Sequence, residues 1–335
     1  MANKVTIMDV AKRVGVSKST ASDALNFRRS TSAATREKVL EAAKSMGYKP
    51  NYAAQSLSTK KTMMIGVLVY GLRDLHTAVL VECFADELAK YSYEMLLMIA
   101  QNKRELAFDY ISKLSSGMAD GIINLLPALT AAEARTAARG VPIITYLRRE
   151  PQCPTYMDYV PGTMEALNHL WSQGHRRIGF LAEREAAKDI GEDGRILGYK
   201  QFLSQKGSLD ENMIVYTEMH NSFYEICAKI ETLYNRGATA IFTFNDAKAL
   251  IAIQWAHQKG IRIPEDLSIL GFNDSPEAST AVPALTTVQM PIRPIVSATI
   301  EALIAAIEMR PAPQQQIIVP HLIIRESTAK PKEVS

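Results

Sequence analysis

Twelve of the 38 lysines and arginines fall within the first 62 residues, against only four of the 35 acids. The chemistry such a cluster performs is neutralisation of nucleic-acid phosphate. The basic residues are Lys4, Lys12, Arg13, Lys18, Arg28, Arg29, Arg36, Lys38, Lys44, Lys49, Lys60 and Lys61, and the acids are Asp9, Asp23, Glu37 and Glu41. This head therefore carries +8. The remainder, with 26 basic and 31 acidic residues, carries −5, although the whole chain stands at +3. Solvated surface charge has no need to segregate in this way. Catalytic chemistry lacks its usual residues: there is no Gly-x-Gly-x-x-Gly, no phosphate-loop Gly-x4-Gly-Lys-Ser/Thr, no His-Glu-x-x-His and no Gly-x-Ser-x-Gly. The nearest glycine cluster, Gly191, Gly194 and Gly198, has the wrong spacing. Cys83, Cys153 and Cys227 are too far apart for a zinc site or a disulfide framework. No catalytic residue, metal or cofactor is expected.

The elements that must carry the basic head are short helices. Thr6 is a good N-cap, with Asp9 at the third helical position to complete a capping box. Gly15 marks the turn, and Ser17 caps a second helix from Lys18 to about Asn26. A third helix is expected from Ser32 to Met46, with Glu37 and Lys38 outside and Val39, Leu40, Ala43 and Met46 inside. Two short helices across a Gly turn, braced by a third, form the helix-turn-helix arrangement that places its second helix in the major groove. A plain three-helix bundle would have the same pattern, but the charge segregation argues against it.

At 335 residues and 47% hydrophobic, the chain can bury more than one core. No apolar run reaches the ~18 residues that span a membrane, and the N-terminus opens on polar residues, so a soluble, cytoplasmic protein is expected. From Met63 onward short apolar runs alternate with amphipathic stretches. One series of strands is read at 65–69, 95–99, 121–123 and 141–144, and another at 177–181, 213–216, 240–244 and 267–271. Helices are read at 77–91, 103–116, 161–173, 193–206, 222–235 and 246–259. Buried strands alternating with helices predict parallel sheets covered on both faces, and two series predict two lobes. A further helix from Ile292 to about Met309, a strand pair around 317–325 and a run of prolines suggest that the chain crosses between the lobes more than once.

Several motifs carry a resemblance. In the head they are Val5-Thr6-Ile7-x-Asp9-Val10-Ala11, Gly15-Val16-Ser17-Lys18-Ser19-Thr20, Thr35-Arg36-Glu37-Lys38-Val39, Gly47-Tyr48-x-Pro50-Asn51 and Ala54-x-Ser56-Leu57. In the body they are Gly174-His175-Arg176-Arg177-Ile178, Arg195-x-x-Gly198-Tyr199, Asn245-Asp246, Ile263-Pro264-x-Asp266-Leu267-Ser268-Ile269-x-Gly271-Phe272 and Leu285-Thr286-Thr287-Val288. Over nearly its full length the chain resembles the lactose-repressor/galactose-repressor family of bacterial transcription regulators. The resemblance implies an all-α helix-turn-helix head and an α/β body of two doubly wound parallel-sheet lobes, like periplasmic binding proteins. It implies a head at 1–50, a hinge helix and linker at 51–62, and a body at 63–335. The N-lobe would span about 63–158 and 290–318, and the C-lobe about 159–289 and 319–330.

Within that frame Lys18 and Ser19 open the recognition helix and Asp23 lies one turn on, so all three could face base edges. Lys18 suits guanine acceptors and Asp23 a cytosine amine. Thr6, Ser17, Thr20, Ser22, Asn26, Ser32 and Asn51 are short polar groups of the kind that fix register on phosphates. The family usually has Arg in place of Asp23 and Val in place of Ala21, so an unusual operator is expected. The hinge, with Asn51, Ala54 and Leu57, is too short to be stable alone and would fold when paired on DNA. Leu57 would then be the wedge pushed into a central minor-groove step. Without the resemblance it would read as an ordinary linker.

The resemblance also implies a small effector between the lobes, a sugar or sugar phosphate, with a non-sugar corepressor such as a nucleobase as the alternative. Arg195, Asn245, Asn273 and Asp274 are the candidate ligands of the C-lobe, and Asp74, His76 and Arg148 those of the N-lobe. The family's acidic ligand is matched by Asn273, its usual pocket entry by Asp74-Leu75-His76-Thr77, and its usual Gln before Pro291 by Met290. The partners implied are a pseudo-palindromic double-stranded DNA operator and a second copy of the chain. The nine residues after Glu326 hold no heptad, so a dimer without a tetramerising coiled coil is expected. A transport-type binding protein would explain the body but not the basic head.

Overall fold

The computed structural model describes residues 5–25, 31–48, 61–72, 75–101, 103–126, 129–146, 155–184, 193–218 and 221–332. Asn26, Asn51, Ala54, Leu57, Asp74 and Arg148 lie outside the described residues. The chain divides into two units, Met1–Thr62 and Met63–Ser335.

In the first unit, α1 (Ile7–Val14) starts at a complete capping box: the Thr6 hydroxyl accepts from the Asp9 amide at 3.4 Å, and the Asp9 carboxylate accepts from the Thr6 amide at 2.8 Å. The Thr6 amide, with the Thr6 hydroxyl behind it, holds the Asp9 carboxyl below its ordinary pKa. The helix stops at Gly15, whose φ of +76° would strain any residue with a Cβ. Ser17 accepts from the Thr20 amide at 3.0 Å and so starts α2 (Lys18–Leu25), and Ser32 caps α3 (Ala33–Ser45) through the Thr35 amide at 3.2 Å. Val10, Ala11, Ala21, Ala24, Val39 and Ala43 form a core of mostly small side chains, which lets the helices approach closely. Leu40, expected inside, is half-buried instead and lies beside Arg36, Glu37 and Lys44. Val39 and Ala43, one turn apart, define the inner face, and the ~100° step per residue carries Leu40 off it.

The second unit begins with β1 (Met64–Val69), α4 (Leu75–Ala89), β2 (Glu94–Ile99), α5 (Arg104–Lys113), β3 (Gly121–Asn124), α6 (Ala131–Ala138) and β4 (Ile143–Thr145). These strands form a parallel sheet in the order β2-β1-β3-β4. The last strand starts only after Pro142, which has no N–H to give a ladder. β5 (Thr155–Met157) leads into the second lobe: α7 (Tyr159–Ser172), β6 (Ile178–Glu183), α8 (Gly194–Gln205), β7 (Ile214–Thr217), α9 (Phe223–Asn235), β8 (Ala240–Thr243), α10 (Asp246–Gln258), β9 (Ser268–Asn273), α11 (Pro276–Thr280) and β10 (Thr286–Gln289). The chain then forms α12 (Ile292–Ile307), which packs on α4, followed by β11 (Gln316–Ile318) and β12 (His321–Ile323).

The second sheet runs β7-β6-β8-β9-β10-β12, parallel except for β12, which is antiparallel to β10. The two strands expected as a pair near 317–325 do not pair with each other. β11 lies parallel to β5, with Ile317 opposite Tyr156, while β12 joins the large sheet, with Leu322 opposite Val288. Pro320 separates them and removes the donor a continuous strand would need.

Each sheet is buried on both faces, which is why its strands read as unbroken apolar runs. Phe84, Leu88 and Ile300 cover one side of the first sheet and Ile111 and Ala134 contribute to the other. Leu167, Tyr199 and Phe202 cover one side of the second sheet, and Ile230 and Trp255 the other. In both sheets the second strand in sequence lies outside the first and the third lies on its other side. The order therefore reverses between β1 and β3 and between β6 and β8. At such a reversal the loops leaving neighbouring strands part in opposite directions and open a crevice beyond the carboxyl ends.

Candidate functional sites in the head and between the lobes

α2 turns Ala21 and Ala24 into the head core, leaving Lys18 and Ser19 exposed and Thr20, Ser22 and Asp23 half-buried. An exposed basic first turn over a buried alanine face is the arrangement a groove-reading helix requires. Several hydroxyls expected on phosphates already have work to do. Those of Thr6, Ser17 and Ser32 cap the three helices, and the Thr6 hydroxyl donates to Asp9 at 2.7 Å. The Ser17 hydroxyl also meets those of Ser19 and Thr20 at 2.7 and 2.8 Å.

In the body, the carboxyl ends at the reversal between β6 and β8 carry the charged groups. Arg195 sits in the first turn of α8, which Asp193 caps. Gly198 lets that helix lie against α7, since a Cβ there would stand 2.9 Å from the Cβ of Thr163. The guanidinium donates from Nε and Nη2 to the two oxygens of Asp193, each at 2.9 Å, and from Nη1 to the Phe244 carbonyl at 2.9 Å. Its carbon lies 3.4 Å above the centre of the Phe244 ring, with Tyr159 and Phe272 at 5.0 and 5.1 Å. Burial opposes the charge, but Asp193 outweighs it and the Arg195 pKa is raised. Burial also pushes the Tyr159 phenol up to about 12. Beside this pair, Lys248 donates to Glu183 at 2.5 Å, both side chains being 7% exposed.

Asn245 caps α10, its side-chain oxygen accepting from the Lys248 amide at 3.0 Å. Next to it Asp246 is buried, accepts from the Ser275 amide at 2.6 Å, and is pushed up to about 7 by burial, against the hydrogen bonds from Thr287 and Ser275. Asn273 is buried with φ at +117° and Asp274 follows at +56°. Asp274 is engaged within its own lobe, accepting from Arg325 at 2.7 Å and Gln289 at 2.7 Å. Arg195, Asn245 and Asn273 thus all lie at the carboxyl ends of the second sheet, while Asp274 turns to β10 and the segment after β12. His76 lies half-buried in the first turn of α4, after β1 of the other lobe.

Sequence reasoning passed over four groups. Asn124 ends β3 and Tyr146 follows β4, the Tyr146 amide donating to the Asn124 carbonyl at 2.9 Å. The Asn124 amide nitrogen and the Tyr146 hydroxyl are buried with no hydrogen-bond partner among the described residues. Tyr146 packs against the cores of both lobes, and burial holds its pKa well above that of a free tyrosine. Asp193 and the Glu183–Lys248 pair were also missed. A carboxylate two residues before Arg195, at a helix start, was a legible cap signal for Asp193; nothing local announced the others.

A compact helical head and a two-lobed α/β body with a polar crevice at its strand reversals define a DNA-binding protein with a ligand-sensing domain. The model for bacterial regulatory proteins of the lacI family matches residues 6–51, and that for the periplasmic binding protein-like domain matches 167–328. The HTH-type transcriptional regulator DegA of Bacillus subtilis is 32% identical over 97% of this chain and 98% of its own length. The HTH-type transcriptional repressor PurR of Vibrio atlanticus is 30% identical, covering 97% and 98%. The Lac repressor dimer bound to operator and the anti-inducer ONPF superposes with a TM-score of 0.85 over 98% of this chain and 100% of that one, at 24% identity. The chain belongs to the LacI family of DNA-binding transcriptional regulators. Among the described residues, no helix is long and apolar enough to cross a membrane.

Proposed function

We propose that this regulator represses a carbohydrate-utilisation operon under the control of a sugar or sugar phosphate bound between its lobes. The observation that carries the reading is Arg195, stacked on Phe244 at the β6–β8 reversal, in a unit whose other lobe ends its strands in the unpartnered polar atoms of Asn124 and Tyr146. A guanidinium fork and amides over aromatic rings suit a compact polyhydroxylated ligand. Asn245 and Asn273 would contribute amides, with Asp74, His76 and Arg148 supplied by the first lobe. Asp274, tied to Arg325, serves better as a brace for Asn273 than as a ligand. A nucleobase corepressor is the second reading, supported by the rings around Arg195.

The operator is pseudo-palindromic and is read by α2 from two copies of the chain, with residues 51–62 as hinge and Leu57 as wedge. The Lac repressor is a dimer on its operator, and two heads one helical turn apart require a two-fold pair. The contact runs along the body through α4 and α10. Two measurements test the proposal. Deleting residues 1–62 should abolish operator binding in a gel-shift assay while the body still binds ligand. A panel of sugars, sugar phosphates and nucleobases should raise the melting temperature of the full chain for one class only.

A further inference from the structure

The pair formed by Asp193 and Arg195 is nearly closed to water, with side chains 12% and 9% exposed. Asp193 accepts from the Arg195 backbone amide and Nε through one oxygen and from Nη2 through the other. The Phe244 carbonyl takes Nη1 and its ring centre lies 3.4 Å from the guanidinium carbon, which helps to hold the guanidinium against its acid. Capping α8 would not need this charge, because Asn and Ser cap as well as Asp. Among the described residues, the other cations at this end of the lobe are matched too: Lys248 by Glu183 at 2.5 Å, Arg325 by Asp274 at 2.7 Å and Arg184 by Glu218 at 3.0 Å.

We infer that Asp193 sets the charge of the effector: by holding Arg195 as a neutral pair it selects an uncharged polyhydroxylated molecule over a phosphorylated or carboxylated one. The inference rests on the reading that Arg195 faces the effector. Three of the five N–H donors of the guanidinium are occupied. What remains is one N–H on each terminal nitrogen beside an unfilled lone pair of Asp193. Adjacent hydroxyls, each both donor and acceptor, satisfy that set. A phosphate monoester dianion offers acceptors alone and would bring its charge against the Asp193 carboxylate at low dielectric, where like charges repel strongly.

The test uses methyl phosphate at about pH 8, where it is a dianion with no proton to donate, against chloride at equal ionic strength, read by thermal unfolding and by direct binding. Wild type should show no phosphate-specific stabilisation. D193N, which keeps the helix cap, should bind phosphate about tenfold tighter or more, and D193N/R195Q should lose the gain. D193S provides the same comparison if D193N fails to fold. Phosphate binding by wild type that R195Q removes would overturn the inference. Equal phosphate affinity in wild type and the folded Asp193 variants would overturn it as well. The reading beneath fails separately: if no sugar, polyol or sugar phosphate binds wild type while D193N gains phosphate, the effector class is wrong but the role of Asp193 stands.

Discussion

Replacing Lys248 by Met should destabilise the body by about 3–5 kcal/mol, the range for removing one partner of a buried ion pair. The pair is 2.5 Å long with each side chain 7% exposed. At an effective dielectric of about 20 its attraction is about 7 kcal/mol, largely offset by the several kcal/mol needed to desolvate each ion. The single substitution removes the attraction and leaves Glu183 buried without its counter-charge. With each kcal/mol moving the midpoint by about 2–4 °C in a domain of this size, melting should fall by about 6–20 °C. E183Q/K248M, which removes both charges, should lie within about 1 kcal/mol of wild type. Urea unfolding followed by the fluorescence of Trp171 and the buried Trp255 reads all four corners of the cycle. A cost for K248M below about 1 kcal/mol, or a double variant as unstable as the sum of the singles, would refute the reasoning.

Four further outcomes follow from the same structure. L57A should weaken specific operator binding more than non-specific binding, because a wedge acts only on correctly placed, kinked DNA; equal loss on both in a competition gel-shift contradicts the hinge reading. R195A should abolish the effector response in a reporter strain, leaving constant repression if the ligand is an inducer and constant expression if it is a corepressor; an unaltered dose-response removes Arg195 from the site. Asp246 is raised by burial to about 7, so between its unfolded value and pH 7 the folded state binds the extra proton and stability falls as pH rises. D246N should lack that share of the decline, and parallel pH–stability curves for the two proteins argue against it. Light scattering at micromolar concentration should give about twice 37.0 kDa, whereas about four times that mass would show a tetramer.

The head was legible in the sequence because its signals are local. A cap speaks to an amide three residues on, as Thr6 does to Asp9, Ser17 to Thr20 and Ser32 to Thr35, and Gly15 needs only its own φ. The alternation of apolar runs and amphipathic stretches likewise foretold two doubly wound lobes, since an unbroken apolar run and a period of 3.6 residues are properties of each element alone. Leu40 and the 317–325 strands escaped because which face or neighbour an element takes depends on what packs beside it.

The crevice belongs to the tertiary structure. Motif spacing pointed to Arg195 and Asn245, but nothing near residue 195 says that its guanidinium rests on a ring and carbonyl 49 positions away. Nor does local pattern pair Lys248 with Glu183 across 65 positions or Arg325 with Asp274 across 51. Those partners meet because the sheet sets β6, β8 and β9 side by side and brings the segment after β12 back to β10. The charge of a buried group is decided by such neighbours, and neighbours across a sheet are chosen by the packing of the whole lobe.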